Sequence, residues 1–257
     1  MLFRSTWHPQ SNKDGKDLNF WLYWLGEDLK KEGIDVGVWT FGYEAARFEF
    51  GGAAMPRFDL GSNLLEFLKV KNIGKRPLIF VTHSMGGLVV KEAIRTAQDF
   101  DDKKAIIKLT KGIVFLSTPH TGAHLANLID NFRVFTRPNI NVEELRAYSS
   151  ELVSLNQWYL QNVDGLTIKT QVFYETRKIK GILVVDKVSA NPSIKDVQPV
   201  AVQENHNSIA KPKKTDLVYE SVKVFVKELL NDSPKATFEI SSKKDTSSES
   251  SRQKLRI

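Results

Sequence analysis

Four apolar residues, Leu78-Ile79-Phe80-Val81, lead through Thr82-His83 into one serine, Ser84, and Met85-Gly86-Gly87 then opens a segment of helical periodicity. A short, unbroken apolar run bounded by turn residues reads as a strand buried on both faces. Strands of that kind belong to parallel sheets covered by helices. The abrupt change of period leaves one residue at the corner, and the sequence puts a small polar one there. This junction directs the chain to an α/β architecture with a strand–turn–helix corner at the carboxyl end of its sheet.

The rest of the chain agrees. Asn19 to Lys31 carries apolar residues at 20, 21, 24, 25 and 29, a helical spacing, with Gly33 as its stop. Val36 to Phe41 is short and rich in Val, Trp and Phe and predicts a strand. Gly42 to Phe58, with Gly51-Gly52 and Pro56, predicts a loop. Helices are expected around Leu64 to Val70, over Gly86 to Ala97 and over Lys104 to Leu109. Val142 to Val163 holds one long helix or two with a break, and Leu217 to Leu230 is a strongly amphipathic last helix. Strands are expected at Leu78 to Val81, Ile113 to Leu116, Ile168 to Tyr174 and Val197 to Val202. Strands separated by helical segments give a mostly parallel sheet with helices on both faces. From Asn231 onward Ser, Lys and Glu dominate, the composition of a disordered tail or linker.

Composition narrows the function classes. With 257 residues, 41% of them hydrophobic, the chain can bury a sizeable core. It has no cysteine, which excludes disulfides and thiolate chemistry and fits a reducing compartment. No apolar run reaches the roughly 18 residues of a membrane span, and residues 1–9 lack the apolar core of a secretory signal. The net charge of +7 lies partly in Lys211-Pro212-Lys213-Lys214 and in the C-terminal tail. It reads first as solvated surface and second as a peripheral contact with anionic lipid. No basic stripe is interleaved with aromatics, so nucleic acid is not an expected partner. Neither a Gly-x-x-x-x-Gly-Lys nor a Gly-x-Gly-x-x-Gly loop follows a strand, which disfavours nucleotide binding. The histidines are not at ligand spacing, so no metal is expected, and no cofactor is implied. Nothing in the sequence specifies an oligomeric state.

Thr82-His83-Ser84-Met85-Gly86-Gly87, set between strand and helix, matches the context of a nucleophile elbow. The turn is tight enough that residues two before and two after the serine must be small. Gly86 meets that need, and Thr82 departs from the usual glycine. The Met85 amide would lie at a helix N-terminus, where it can stabilise an oxyanion. A serine needs a base and an orienting acid. Of His8, His83, His120, His124 and His206, only His206 lies beyond the later strands, in the polar loop Glu204-Asn205-His206-Asn207-Ser208. It is the expected base. His83 adjoins the nucleophile but points elsewhere, which predicts a packing or loop-anchoring role. His120 follows the next strand and is expected to line the site mouth or brace that loop. Two residues compete for the acid. Glu175 ends the strand Val172-Phe173-Tyr174; Asp186 follows Leu183-Val184-Val185, 20 residues before His206. Topology favours Glu175, residue type favours Asp186, and topology is given slightly more weight.

An ordered series of motifs carries a resemblance. It comprises Trp7, Trp39-Thr40-Phe41-Gly42-Tyr43, His83-Ser84-Met85-Gly86-Gly87, Ser117-Thr118-Pro119-His120-Thr121-Gly122, Phe173-Tyr174-Glu175-Thr176, Val184-Val185-Asp186-Lys187-Val188-Ser189-Ala190 and Asn205-His206-Asn207-Ser208-Ile209-Ala210-Lys211-Pro212. Over roughly residues 3–230 the chain resembles the serine active site-containing protein family of lipase-like α/β-hydrolases, relatives of serine esterases and, more distantly, of inositol deacylases that remodel glycolipid anchors. The resemblance implies hydrolysis or acyl transfer on carboxylic esters, a link to lipid metabolism, and association with mitochondrial or endoplasmic reticulum membranes. In that family a strand ending in a His-Gly-rich loop precedes the Thr-Trp matched here by Thr6-Trp7, and the loop supplies a second oxyanion donor. The sequence starts after that point. The expectation is therefore an α/β-hydrolase domain over 1–230 that lacks its first strands, followed by a tail or linker over 231–257.

Overall fold

The computed structural model describes residues 4–8, 20–42, 57–120 and 142–231. The short helix α1 (Arg4–Trp7) is followed by α2 (Trp21–Lys31) and α3 (Arg57–Val70). Strand β1 (Leu78–His83), helix α4 (Gly86–Gln98), helix α5 (Lys104–Leu109) and strand β2 (Thr110–Leu116) then run in order. Helix α6 (Val142–Asn162), strands β3 (Lys169–Glu175) and β4 (Val200–Val202), a 3₁₀ turn (Ser208–Ala210) and helix α7 (Leu217–Asn231) complete the described chain.

The four strands form one sheet in the order β1-β2-β3-β4, every pair parallel. Parallel neighbours need crossovers, and the helices between the strands provide them. Among the described residues this is an α/β architecture, a four-stranded parallel sheet with helices packed on both faces. The register sets His83 beside Leu116, Leu116 beside Phe173 and Phe173 beside Val200. The carboxyl ends of all the strands therefore lie at one edge.

Side chains alternate across β2 and β3, as strand geometry requires. Ile113, Phe115 and Val172 face a core layer shared with Leu64, Leu65 and Leu68 of α3, Val90 and Ile94 of α4, and Tyr159 of α6. Val114, Leu116 and Phe173 face the opposite layer, with Trp21, Leu25 and Leu29 of α2 and Val218, Tyr219, Val222 and Val226 of α7. Ile113 through Leu116 are fully buried, so β2 is central and its apolar run is continuous. Helix α2 stops where the sequence places Gly33. That residue has φ +81°, and the Ile34 amide bonds back to the Leu29 carbonyl at 3.0 Å. Helix α6 is a single unbroken helix. Helix α7 is held to α2 from outside: Lys214 and Tyr219 donate to Asp28, and Lys223 and Lys227 to Glu32. Among the described residues no helix is long and apolar enough to cross a membrane.

Several expectations need correction. Val36 to Phe41 is not a strand: it runs without ladder hydrogen bonds, and Val38 and Trp39 are exposed. A strand is made by its partner, and no described strand lies beside this segment. Phe41 instead packs its ring on Phe67 of α3, centroids 5.3 Å apart. Nor is β1 interior. Among the described residues it pairs on one side only, and Leu78 to Val81 are half-buried. The strand expected from Val197 contracts to Val200–Val202, and α3 begins at Arg57, inside the expected loop. The remainder of that loop, His124, the Thr121-Gly122 end of the motif that begins at Ser117 and the tail over 232–257 lie outside the described residues.

Helices α3 and α4 approach closely at Gly61. A Cβ built there would meet the Ala93 backbone nitrogen at 3.0 Å and the Glu92 backbone carbon at 3.2 Å. Backbone cannot yield as a side chain does. Gly61→Leu should therefore lower the unfolding free energy by about 1–3 kcal/mol, the usual cost of overpacking. An earlier midpoint in urea unfolding checks it.

Candidate active site

Ser84 is the first residue past β1, and its amide still bonds the Leu116 carbonyl of β2 at 2.9 Å. Two residues later, at Gly86, the chain is helix. The reversal forces Ser84 to φ +53°, a left-handed conformation that non-glycine residues rarely adopt and that costs on the order of 1–3 kcal/mol. Met85 occupies the N-cap position of α4, which sets its amide at the positive end of a 13-residue helix. Gly87 lets the start of α4 lie close against Phe115 and Thr118. A Cβ there would fall 2.4 Å from Thr118 Oγ1 and 2.7 Å from Phe115 Cδ1. Thr82 is tolerated because its hydroxyl donates to the Val114 carbonyl at 2.8 Å instead of pushing into the helix.

His206 lies past β4 in a turn that locks itself. The Asn205 carboxamide oxygen accepts the amides of Asn207 and Ser208, and the Ser208 hydroxyl accepts the amide of Asn205. The amides of Thr176 and Arg177 both donate to the Glu204 carbonyl, which fastens the turn to the end of β3. From below, the buried Trp21 indole donates to the Ala210 carbonyl at 2.9 Å. The imidazole Nε2 then stands 3.0 Å from Ser84 Oγ, and Nδ1 stands 3.2 Å from Glu175 Oε1.

Glu175, the last residue of β3, is fully buried. Its Oε1 also accepts the Val185 amide at 2.7 Å, and its Oε2 accepts the Ser117 hydroxyl. A buried carboxylate survives only with such donors. Asp186, the rival for the acid, is engaged elsewhere. Its carboxylate accepts the Ser189 amide at 2.7 Å and closes the turn over 186–190. Ser84, His206 and Glu175 are the set that the fold brings together.

The two remaining histidines are placed differently from one another. His83 is half-buried. Its Nε2 donates to the His206 carbonyl at 2.7 Å, and the two rings stand 4.8 Å apart. Desolvation, and then repulsion from His206, push the His83 imidazole down to about 3. It stays neutral and anchors the base's loop. His120 has no exposed surface, so it does not line the mouth. Its Nδ1 accepts from Lys91 Nζ at 2.7 Å, and Lys91 also donates to Asn156 Oδ1 at 2.9 Å. Burial holds the Lys91 amine and the His120 imidazole well below their ordinary ranges. Both sit against aromatic faces, Lys91 4.5 Å above the Tyr159 ring and His120 edge-on to Phe115. Ser117, Val185, Gly87 and Trp21 were not singled out by sequence reasoning. Of these only Ser117 carried a signal, as the first residue of the motif that follows β2.

The sequence profile of the PGAP1-like alpha/beta domain matches residues 61–224. Protein SERAC1 of Bos taurus is 36% identical over 176 residues, and that of Homo sapiens 35% over 176. Protein SERAC1 of Danio rerio is 37% identical over 173 residues. These matches take in 65–66% of this chain but 26% of each relative, so the chain spans about a quarter of the length of the curated relatives it matches. Among solved structures, the esterase domain of a Rhodothermus marinus protein aligns with TM-score 0.39 and 17% identity, covering 70% of this chain and 72% of that one. A lipase-esterase related protein from Clostridium acetobutylicum ATCC 824 aligns with TM-score 0.38 and 10% identity, covering 70% and 79%.

The low pKa of His83 fixes the direction of a pH effect. Its ordinary value is 6.5, so as pH falls the unfolded chain binds the proton before the folded one does. The stability tied to this group is intact above 6.5 and drains as pH falls toward 3. Between pH 7.5 and 4.5 the urea midpoint of the parent should therefore fall further than that of His83→Gln, which removes the titration and keeps an N–H donor.

Proposed function

This chain belongs to the PGAP1-like alpha/beta domain family, and on that footing we propose that it is a serine hydrolase of carboxylic esters, working through an acyl-enzyme. The observation that carries the reading is the unbroken hydrogen-bonded line from Ser84 Oγ through the His206 ring to Glu175, with the serine raised on a strained corner at a helix N-terminus. A serine merely capping a helix would need none of these partners.

The chemistry follows from the geometry. His206 Nε2 takes the proton of Ser84 Oγ as the oxygen attacks the ester carbonyl. Glu175 faces Nδ1, so the imidazole keeps its proton on that nitrogen and Nε2 is left free to accept. The imidazolium that forms is stabilised by the buried carboxylate. Charge developing on the carbonyl oxygen falls to the Met85 amide at the head of α4. The imidazolium returns its proton to the leaving alcohol. Water then repeats the sequence on the acyl-serine and frees the carboxylic acid.

The proposed substrates are lipid esters. That reading draws on the family resemblance, and a peripheral contact with anionic lipid would draw on the net charge of +7 and on the exposed Val38 and Trp39.

The reading is tested with a fluorophosphonate probe and a short-chain p-nitrophenyl ester. The parent should be labelled and should turn over the ester, and Ser84→Ala should lose both. An unlabelled, folded parent would identify a hydrolase-fold module that binds without catalysing. Two near-isosteric changes then test the acid. Glu175→Gln should lower turnover far more than Asp186→Asn, by up to about 10⁴-fold, because it leaves the imidazole in the wrong tautomer. The reverse order would move the acid to Asp186.

A further inference from the structure

Ser117 is the first residue past β2, and it repeats in the middle of the sheet what Ser84 does at its edge. It is fully buried and sits at φ +46°, in the left-handed region. Its amide donates to the Phe173 carbonyl at 2.8 Å, which extends the β2–β3 ladder by one residue. Glycine would adopt that backbone freely. The serine adds only a hydroxyl, and that hydroxyl donates to Glu175 Oε2.

The Glu175 side chain has three rotatable bonds, and its function needs one oxygen aimed at His206. The Val185 amide holds Oε1 at 2.7 Å, and Oε1 is also the oxygen that meets His206 Nδ1. One anchored oxygen leaves the carboxylate plane free to turn about it. The Ser117 hydroxyl fixes the second oxygen and hence the plane. Its own position is in turn determined by the loop that follows. The His120 amide bonds the Ser189 carbonyl at 2.7 Å, and the His120 ring is pinned by Lys91 on α4. The loop that holds the acid is thus tied to the helix that carries the nucleophile.

We propose that Ser117 is a positioning residue for the acid of the triad, a fourth member of the line that acts through Glu175 and touches no substrate. This rests on the hydrolase reading given above. A hydrogen bond to a charged acceptor does two things here. It orients the carboxylate, and it disperses the negative charge of a fully buried group.

Ser117→Gly separates function from backbone strain, because glycine accepts φ +46° and lacks the hydroxyl. Parent, Ser117→Gly and Ser117→Ala are compared by p-nitrophenyl butyrate kinetics across pH, by fluorophosphonate labelling rate and by thermal unfolding. The expected result is a fall in kcat of about 10–100-fold with KM unchanged, the loss that removing one charge-assisted hydrogen bond produces. The labelling rate should fall in step with kcat in both variants. Unchanged kcat, or a loss of activity that follows the melting temperature, would overturn the proposal. So would failure of both variants to fold, which would make Ser117 a structural residue. A parent that is folded but neither labelled nor active defeats the hydrolase reading itself, and this proposal with it. That result is seen before any variant is made, so the two failures are distinct.

Discussion

Parallel register is the constraint on which everything else here depends. Because β1 to β4 run the same way and step together, their ends reach one edge of the sheet in a row. Ser84 lies one residue past β1, Ser117 one residue past β2, Glu175 is the last of β3, and His206 is four residues past β4. No antiparallel hairpin could collect four chain exits at one edge. The interior position of β2 enforces the arrangement, since each of its backbone groups must be paired in the absence of water. The amides of Ser84 and Ser117 satisfy that demand even after their strands have ended. The functional residues are therefore placed by the same hydrogen bonds that close the sheet.

The two helical layers have unequal parts in this. The α3, α4 and α6 side supports the nucleophile through α4, and the polar cluster of Lys91, His120 and Asn156 lies within it. The α2 and α7 side supports the base, with the Trp21 indole reaching the carbonyl of Ala210 just beyond His206. The acid sits in the sheet between them. Displacement of either layer moves one end of the hydrogen-bonded line relative to the other.

Much of this was legible in the sequence because burial writes itself there. Leu78 to Val81 and Ile113 to Leu116 are continuous apolar runs, and both are strands. The strand–turn–helix corner at Ser84 and the amphipathic last helix were legible from period, and the placing of His206 beside Ser84 from chain order. Val36 to Phe41 misled because a pattern of Val, Trp and Phe reports affinity for a pleated surface, whereas a strand also needs a neighbour. The acid could not be chosen from spacing: Asp186 is 20 residues from His206 and Glu175 is 31, yet a backbone turn claims the nearer carboxylate. Gly87 escaped notice because its clash is with Thr118 and Phe115, which lie far along the chain. Ser117 escaped because a left-handed serine leaves no periodic trace.

Lys91 brings a chemical consequence of its own. It is an amine with no exposed surface and, among the described residues, no carboxylate partner, set against His120, Asn156 and two aromatic rings. Acylating reagents and lysine-modifying enzymes need a solvent-accessible ammonium or amine, so this side chain is mute in the folded molecule while the surface lysines react. Modification at Lys91 would then act as a clock for parting of α4 from α6, counting excursions that leave the rest of the chain folded. The helix that begins two residues past Ser84 thus carries, about two turns beyond that serine, a reporter of its own seating.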